Sequence, residues 1–154
     1  MTTVKRIAEL TQAKATGDQT PLVTDVSHDS RRTGKDALFA AVSGALFDAH
    51  KFVPQVMAQG AAGVLSERAA PTDFNGAWLQ VADIRRAMAL AAAEVHGHPS
   101  RELQLCGITG TNGKTTTAYL VASIPEAAGE LVAMTGTVEY RLGRERFKAD
   151  RTTP

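Results

Sequence analysis

The spacing of apolar residues predicts alternating helices and strands in the first part of the chain. A period of about 3.6 residues is typical of an amphipathic helix, and a compact apolar run closed by a turn signal is typical of a buried strand. The helical pattern predicts a short helix at the start, a second helix over 51–60 that Gly60 ends, and a third that Asp83 caps and that runs to about His96. The strand pattern predicts three strands: 37–44, 61–67 and 77–83. This part therefore has the pattern of an α/β domain.

The second part of the chain begins where Gly97, Pro99 and Ser100 interrupt the pattern, which predicts a domain boundary between residues 98 and 99. Beyond it, the pattern predicts a buried strand, a helix and another strand: 101–109, 114–128 and 131–140. Strand, loop, helix and strand form a right-handed crossover unit of a parallel sheet. The second part is therefore also predicted to be α/β.

Two residues of the second part carry separate expectations. Cys106 lies among Leu103, Leu105 and Ile108, and as the single cysteine it is expected to be a buried core thiol. Pro125 lies inside the predicted helix, where it removes a hydrogen bond and should kink or shorten the helix.

Composition and charge exclude several classes of protein. The 154 residues carry a net charge of +1 and are 44% apolar, which is ordinary globular composition and gives no electrostatic reason to expect nucleic acid or an anionic membrane as partner. No apolar run approaches the roughly 20 residues that cross a bilayer, and the N-terminus has no apolar signal core. We therefore expect a cytoplasmic protein with neither nucleic acid nor a membrane as partner. We also expect a monomer.

A glycine-rich segment, GITGTNGKTTT at 107–117, follows the predicted buried strand. It ends as a phosphate-binding loop does, with Gly113, Lys114 and Thr115, but Ile108 stands where the first glycine of the G-x-x-x-x-G-K-[ST] pattern is expected. Gly110 and Gly113 can still take positive φ and turn backbone N–H groups towards an anion. The alternative is a glycine-rich turn without a ligand, but Lys and Thr at the start of a helix favour phosphate binding.

The same segment supplies the candidate nucleotide site. The candidate nucleotide-binding residues are contiguous: Gly110, Thr111, Asn112, Gly113, Lys114, Thr115 and Thr116. Lys114 can reach the β- and γ-phosphates and the Thr115 hydroxyl can ligate Mg²⁺, so these two are the candidate catalytic residues and Thr115 the candidate metal ligand. The histidines His96 and His98 could suggest a metal site, but they are assigned no role because no third metal ligand lies near them in the sequence.

Two polar segments are ambiguous when taken by themselves. Asp29 and Ser30 can make local turn hydrogen bonds. Arg31 and Arg32 could bind an anion, although a solvated surface pair is the better interpretation of any two adjacent arginines. RTTP at 151–154 offers two hydroxyls, but in isolation it is typical of an ordinary loop.

The motifs together resemble those of the Mur ligases, which build the peptide stem of bacterial cell-wall precursors. GITGTNGKTTT is similar to their ATP loop, and since folylpolyglutamate synthases have a similar loop, it indicates only the superfamily. The uridine-nucleotide-binding domain of two of these ligases is similar to three segments: DSR at 29–31, ALFAAVSG at 37–44 and FDAH at 47–50. Ala49 departs from the glycine expected in FDGH. TGT at 135–137 followed by TTP at 152–154 resembles the member that adds a diamino acid.

The resemblance implies a function and a domain organisation. It implies an ATP- and Mg²⁺-dependent amide ligase that adds a diamino acid to UDP-N-acetylmuramoyl-L-alanyl-D-glutamate through an acyl phosphate. Residues 1–98 are expected to bind the UDP-sugar substrate, and 99–154 to begin a parallel-sheet, phosphate-loop ATPase domain that is incomplete. The residues that the resemblance assigns to the UDP precursor are His28, Ser30, Ala45, Leu46, Phe47, Thr152 and Thr153.

Other functions stay open. The chain is expected to be an N-terminal fragment that is inactive alone, and it could act only as a module that binds UDP-sugar or nucleotide. Its parent could also be the Mur ligase that acts later in the pathway. A phosphate-loop kinase or GTPase is disfavoured because the loop lacks the first glycine and a substrate-like domain precedes it.

Overall fold

The chain forms two compact units, unit 1 (Met1–Gln104) and unit 2 (Leu105–Pro154). The structure is a computed structural model that describes residues 2–44 and 48–149. None of the helices within these ranges is long and apolar enough to cross a bilayer. The functions assigned above to 1–98 and 99–154 stay a prediction.

The elements follow one another in the order that their numbers give. The helices are α1 (Val4–Thr11), α2 (Val53–Ala58), α3 (Ile84–Val95) and α4 (Lys114–Ala127), with short 3₁₀ turns at Ala49–Phe52 and Pro99–Arg101. The strands are β1 (Thr2–Thr3), β2 (Lys14–Thr16), β3 (Leu22–Val23), β4 (Asp25–Ser27), β5 (Ala37–Ala40), β6 (Gly63–Ser66), β7 (Trp78–Gln80), β8 (Ala133–Thr135), β9 (Glu139–Leu142) and β10 (Glu145–Lys148).

Unit 1 is built on a five-stranded sheet in the order β2-β7-β6-β5-β4. Strands β4 to β7 pair in parallel, and β2 pairs antiparallel with β7. Every residue of β5 and β6 is buried. A strand covered on both faces has an unbroken apolar sequence, which explains why these two strands lack polar alternation. A separate antiparallel pair joins β1 to β3.

Helices cover both faces of this sheet. The cluster on one face combines α1 and α3 with strand residues: Val4, Ile7, Leu38, Leu65, Leu79, Ile84, Ala87 and Ala91. The cluster on the other face combines α2 with the strand residues that alternate with those of the first cluster. Its main members are Phe39, Val53, Val56, Val64 and Trp78. Because successive strand residues point to opposite faces, the neighbours Leu38 and Phe39 belong to different clusters.

The predicted elements of unit 1 are confirmed with shorter bounds. The helix predicted over 51–60 begins instead as a 3₁₀ turn at Ala49–Phe52, and α2 then starts at Val53 with Pro54 in its first turn, where proline is tolerated. Sequence reasoning missed β1, β2, β3 and β4. Each is two or three residues long, which is too short to show a period.

Unit 2 holds α4 and a three-stranded antiparallel sheet in the order β10-β9-β8. The predicted helix is confirmed, but the single strand predicted over 131–140 is wrong because β8 ends at Thr135 and β9 begins at Glu139. Gly136 lies in the turn between them. Since β8 pairs antiparallel with β9, the described part of unit 2 contains no parallel crossover.

The buried strand predicted over 101–109 is also wrong. No strand is assigned there, and the side chains of Leu103 and Leu105 are 60% and 72% exposed. A buried strand needs partners for its N–H and C=O groups along both edges, whereas the described strands of unit 2 pair only with one another. For the same reason Cys106 is exposed, and the prediction of a buried core thiol is wrong.

Helix α4 ends two residues after Pro125, in a Schellman motif. Gly129 has φ of +84°, its N–H donates to the carbonyl of Glu126 at 3.0 Å, and the N–H of Glu130 donates to the carbonyl of Pro125 at 3.0 Å. The proline thus lies inside the helix without preventing a regular end.

The exposure of Cys106 gives a direct test of this fold. In the native 154-residue chain, we expect the Cys106 thiol to react with Ellman's reagent at a rate close to that of the urea-unfolded chain, because exposure governs access to the sulfur. Cys106→Ser serves as the blank. A native rate far below the unfolded rate would contradict the exposure of Cys106 and support the buried strand predicted over 101–109.

Candidate functional site

The glycine-rich loop of unit 2 leads directly into α4. Gly110 and Gly113 have φ of +148° and +77°, conformations that residues with a side chain rarely adopt. A Cβ at Gly113 would meet no atom within 4 Å, so its backbone conformation rather than space calls for glycine there. Gly113 caps α4 without a side-chain hydrogen bond, and the first turn contains no acidic residue. The first N–H groups of α4 therefore lie at the positive helix end, and no side chain in the described ranges caps them.

Lys114 folds back onto this loop. Its Nζ donates to the carbonyl oxygen of Gly110 at 2.6 Å and to that of Thr111 at 3.3 Å. The ammonium charge thus lies beside the loop backbone, close to the start of the helix. Thr115 and Thr116 follow in the first turn of α4, where both are exposed.

These groups fit a nucleoside triphosphate with Mg²⁺. Loop N–H groups and a helix N-terminus suit phosphate oxygens, the Lys114 ammonium suits a terminal phosphate, and the Thr115 hydroxyl is a hard oxygen donor that suits Mg²⁺. The seven predicted nucleotide-binding residues thus lie together in one loop and helix turn.

Side chains tie α4 to the antiparallel sheet of unit 2. The Tyr119 hydroxyl donates to Glu139 Oε1 at 2.7 Å, and this hydrogen bond raises the pKa of the tyrosine above its ordinary value. Arg141 pairs with Glu126, and its guanidinium carbon lies 5.8 Å from the centre of the Tyr119 ring. These contacts hold α4 against β9 along more than one turn of the helix.

In unit 1, the polar residues collect at the carboxyl ends of three adjacent parallel strands. The segment from His28 follows β4, the segment from Ala41 follows β5, and Arg68 follows β6. Open α/β sheets bind ligands at this edge because loops from neighbouring strands converge there. The sheet order therefore places Ser30 and the start of the 41–44 segment just beyond the carboxyl ends of two neighbouring strands, β4 and β5.

The turn that contains Ser30 is organised by Asp29. Its carboxylate accepts from the Arg31 backbone N–H at 3.0 Å and from the Arg31 guanidinium at 2.9 and 2.7 Å. These hydrogen bonds hold the pKa of Asp29 well below its ordinary value. The buried Thr33 hydroxyl donates to the Asp29 carbonyl at 2.9 Å. Arg31 is thus engaged in the turn, while Ser30 makes no side-chain hydrogen bond within the described residues.

A second group of side chains, the Asp48 cluster, was not identified from the sequence. Its members are Ser43, Asp48, His50, Ser66 and Arg68. Asp48 Oδ1 lies 2.6 Å from His50 Nδ1, and His50 Nε2 lies 2.7 Å from Ser66 Oγ. Asp48 and His50 belong to the FDAH motif at 47–50. The motif is visible in the sequence, but the contacts of its side chains depend on the fold.

Arg68 completes the Asp48 cluster. Its guanidinium donates to Asp48 Oδ2 at 2.8 Å and to Ser43 Oγ at 3.0 Å. Hydrogen bonds from the ring and backbone of His50, and from Arg68, hold the pKa of Asp48 well below its ordinary value. The carboxylate is therefore kept charged in the folded chain.

The order serine, histidine, aspartate resembles a hydrolytic triad, but the surroundings exclude that chemistry. Ser66 is 0% exposed, and its Oγ already accepts from the Arg68 N–H at 2.9 Å. Its Oγ also lies 2.7 Å from His50 Nε2. Because Ser66 is fully buried, its hydroxyl cannot reach a substrate carbonyl, so the cluster is an organising network.

Some predicted residues lie elsewhere or outside the description. His28 is exposed in the loop after β4. The predicted substrate residues Ala45, Leu46, Phe47, Thr152 and Thr153 lie outside the described residues. His98 is hydrogen-bonded to Glu94 at 3.0 Å and His96 lies 3.5 Å from Asp25, while no group of metal-binding side chains forms within the described ranges.

Comparisons with known proteins bear on both units. Residues 108–154 match the Mur ligase middle domain. The chain is 48% identical over 132 residues to UDP-N-acetylmuramoyl-L-alanyl-D-glutamate--2,6-diaminopimelate ligase of Solibacter usitatus, and this alignment covers 86% of the chain and 27% of the relative. The chain is thus similar to Mur ligases over most of its length, and its residues 108–154 match the middle domain of that family.

Solved Mur ligase structures are also similar to this chain. UDP-N-acetylmuramoylalanyl-D-glutamyl-2,6-diaminopimelate--D-alanyl-D-alanyl ligase from Acinetobacter baumannii aligns with a TM-score of 0.64 and 32% identity, covering 88% of this chain and 29% of that one. A UDP-N-acetylmuramoyl-L-alanyl-D-glutamate--2,6-diaminopimelate ligase aligns with a TM-score of 0.73 at 22% identity, covering 99% and 31%, a likeness that concerns the fold alone. This chain thus spans less than a third of the length of these Mur ligases.

The lowered pKa of Asp48 predicts a pH dependence of folding. Because the folded-state pKa is depressed, the interactions of Asp48 stabilise unit 1 above the ordinary carboxyl pKa of about 4 and are lost as the pH falls through the lowered value. We expect Asp48→Asn to lower the urea midpoint at about pH 7 and to have a smaller effect at about pH 3. The fluorescence of Trp78, the single tryptophan, reports the transition.

The matched control for that measurement is Asp73→Asn. Asp73 is exposed and forms no ion pair in the part of the chain that the structure describes. Its substitution should leave the midpoint almost unchanged at both pH values. An effect of Asp48→Asn that is equal at both pH values would contradict the charged role of Asp48.

Proposed function

We propose that this chain forms the substrate-binding part and the beginning of the ATP-binding part of a ligase. That ligase adds a diamino acid to UDP-N-acetylmuramoyl-L-alanyl-D-glutamate. The observation that carries the proposal is the glycine loop with Lys114 at the start of α4, because this geometry suits the phosphates of ATP. The similarity to a diaminopimelate ligase supports the substrate class.

The residues of the loop act on the phosphates. Lys114 and the N-terminus of α4 would neutralise negative charge on the transferred phosphoryl group, and Thr115 would hold Mg²⁺. When bound, ATP would supply its γ-phosphoryl group to the D-glutamate side-chain carboxylate, with ADP as the leaving group. The amine of the diamino acid would then attack the acyl phosphate, and phosphate would leave as the amide forms. Electrostatic stabilisation of this kind is the main contribution of a protein to phosphoryl transfer.

The residues of unit 1 hold the other substrate. Ser30 donates to or accepts from the uridine nucleotide, and residues of the 45–47 segment contact the same UDP group. Thr152 and Thr153 bind the muramoyl-dipeptide part. This assignment extends the family resemblance residue by residue, and it is supported by the placement of Ser30 at the carboxyl edge of the sheet.

Two alternatives have observations in their favour. The chain covers 27% of its relative from Solibacter usitatus, so by itself it could bind nucleotides without ligating them. The 32% identity to a D-alanyl-D-alanyl ligase structure favours the later ligase of the pathway. Assays that offer a diamino acid or D-alanyl-D-alanine as the amine substrate separate the two ligases.

Lys114→Ala tests the ATP loop. In the protein encoded by the whole reading frame that contains this chain, we expect the substitution to lower ligation by at least about 100-fold, because a charge that stabilises the transition state is lost. Phosphate release that depends on the UDP precursor and the diamino acid measures the effect, and circular dichroism checks the fold. Lys5→Ala on the exposed side of α1 is the control and should leave turnover unchanged. Normal turnover of Lys114→Ala would contradict the loop assignment.

Ser30→Ala tests the uridine site. Loss of one hydrogen bond should raise the KM for the UDP precursor about tenfold while the KM for ATP stays the same. Steady-state kinetics with each substrate varied in turn distinguishes the two effects. Ser100→Ala, an exposed serine in the turn after α3, is the matched control. Equal changes in both KM values would argue against a uridine site at Ser30.

A further inference from the structure

We propose that Tyr119 is a positioning residue for ATP, which acts through its hydrogen bond to Glu139 by fixing the rotation of α4 about its axis. The inference rests on the proposed function, because it concerns the phosphates that the glycine loop binds. It assigns a role to a side chain that lies outside the predicted nucleotide-binding residues 110–116.

The position of the glycine loop depends on the orientation of α4. Lys114 is the first residue of this helix, and its Nζ donates to the carbonyl oxygens of Gly110 and Thr111 at 2.6 and 3.3 Å. The Thr117 N–H donates to the Gly113 carbonyl at 2.9 Å, so the loop continues into the hydrogen bonds of the helix. A rotation of α4 about its axis therefore moves the ammonium group and the loop backbone together.

Apolar packing does little to fix this rotation within the described part of unit 2. Ala122 is the single buried residue of α4, and its methyl group is too small to select one orientation of a helix. The larger side chains of Leu120 and Ile124 are 64% and 72% exposed. The orientation of α4 against β9 therefore depends on polar contacts.

These polar contacts join one face of the helix to one face of the strand. Tyr119, Ala122 and Glu126 are three and four residues apart, a spacing that puts them on the same side of a helix. Their polar partners, Glu139 and Arg141, are two residues apart in β9, and alternate residues of a strand share a face. The two pairs together hold α4 at one rotation relative to β9.

Of the two pairs, Tyr119 with Glu139 lies nearer the phosphate loop, because Tyr119 is five residues beyond Lys114 whereas Glu126 is twelve. The Tyr119 hydroxyl donates to Glu139 Oε1 at 2.7 Å, and the Glu139 side chain is only 15% exposed. A hydrogen bond to a charged acceptor in such surroundings is stronger than one between neutral, exposed groups. An orientation fixed in this way before ATP binds lowers the entropy lost on binding.

Binding of MgATP to Tyr119→Phe tests this role in the protein encoded by the whole reading frame. The substitution removes one oxygen atom and keeps the ring beside Arg141, so the packing of α4 is retained. Isothermal titration calorimetry without the other substrates should give a Kd about fivefold above that of the wild type, with the same number of sites, because one orienting hydrogen bond is lost. The KM for ATP should rise by a similar factor, while the KM for the UDP precursor stays within about twofold.

Variants of the acceptor sharpen the result. Glu139→Gln keeps an oxygen that can accept from the tyrosine but removes the charge, so its Kd for MgATP should lie between those of the wild type and Tyr119→Phe. The double variant should bind MgATP no more weakly than Tyr119→Phe, since the contact is already lost, and two effects that multiply would contradict the contact. Glu145→Gln is the matched control, because Glu145 is an exposed residue of β10 that forms no ion pair among the described residues, and it should leave the Kd unchanged.

The outcomes separate this inference from the function on which it rests. A wild-type protein that does not bind MgATP overturns the proposed function and this inference with it. Wild-type binding together with an unchanged Kd in Tyr119→Phe overturns the positioning role alone. A fall in the number of sites in that variant also overturns it, because the hydrogen bond would then maintain the fold of unit 2 and not the orientation of the loop.

Discussion

A parallel strand must find hydrogen-bond partners along its edges and apolar cover on both faces, and this constraint decides where the chain forms a core. Strands β5 and β6 meet it, because each lies between two other strands and between α2 on one face and α1 with α3 on the other. The segment before the glycine loop does not meet it, since no described strand of unit 2 pairs with it. Apolar residues therefore form buried strands in unit 1, whereas Leu103 and Leu105 lie in an exposed segment.

The two candidate sites use the backbone in different ways. In unit 2, two glycines with positive φ and an uncapped helix end leave N–H groups available, so the backbone itself supplies the anion site. In unit 1, the sheet brings loops together and side chains then fix them, with Asp29 organising one turn and Arg68 joining the ends of another. Substitutions should accordingly be tolerated differently, because a side-chain network can be altered one contact at a time.

The sequence was sufficient to predict the elements with strong periodicity and the residues in contiguous motifs. Helices α1, α3 and α4 and the glycine loop were identified because the spacing and chemistry are local. The Asp48 cluster was not, since Asp48 follows β5 while Ser66 is the last residue of β6, and only the pairing of these two strands brings the cluster together. The prediction that the Leu103–Cys106 segment is buried was wrong because burial depends on neighbouring elements, which no local pattern reveals.

The order of strands in unit 1 also has a kinetic consequence. Strand β7 is the last of its sheet to leave the ribosome, yet it lies between β2 and β6. Until Gln80 has left the ribosome, β2 has no partner in this sheet and the apolar edge of β6 remains open to other chains once β6 has emerged. Insertion of β7 closes both gaps at once, so a delay between the emergence of β6 and that of β7 would prolong the stage most prone to aggregation.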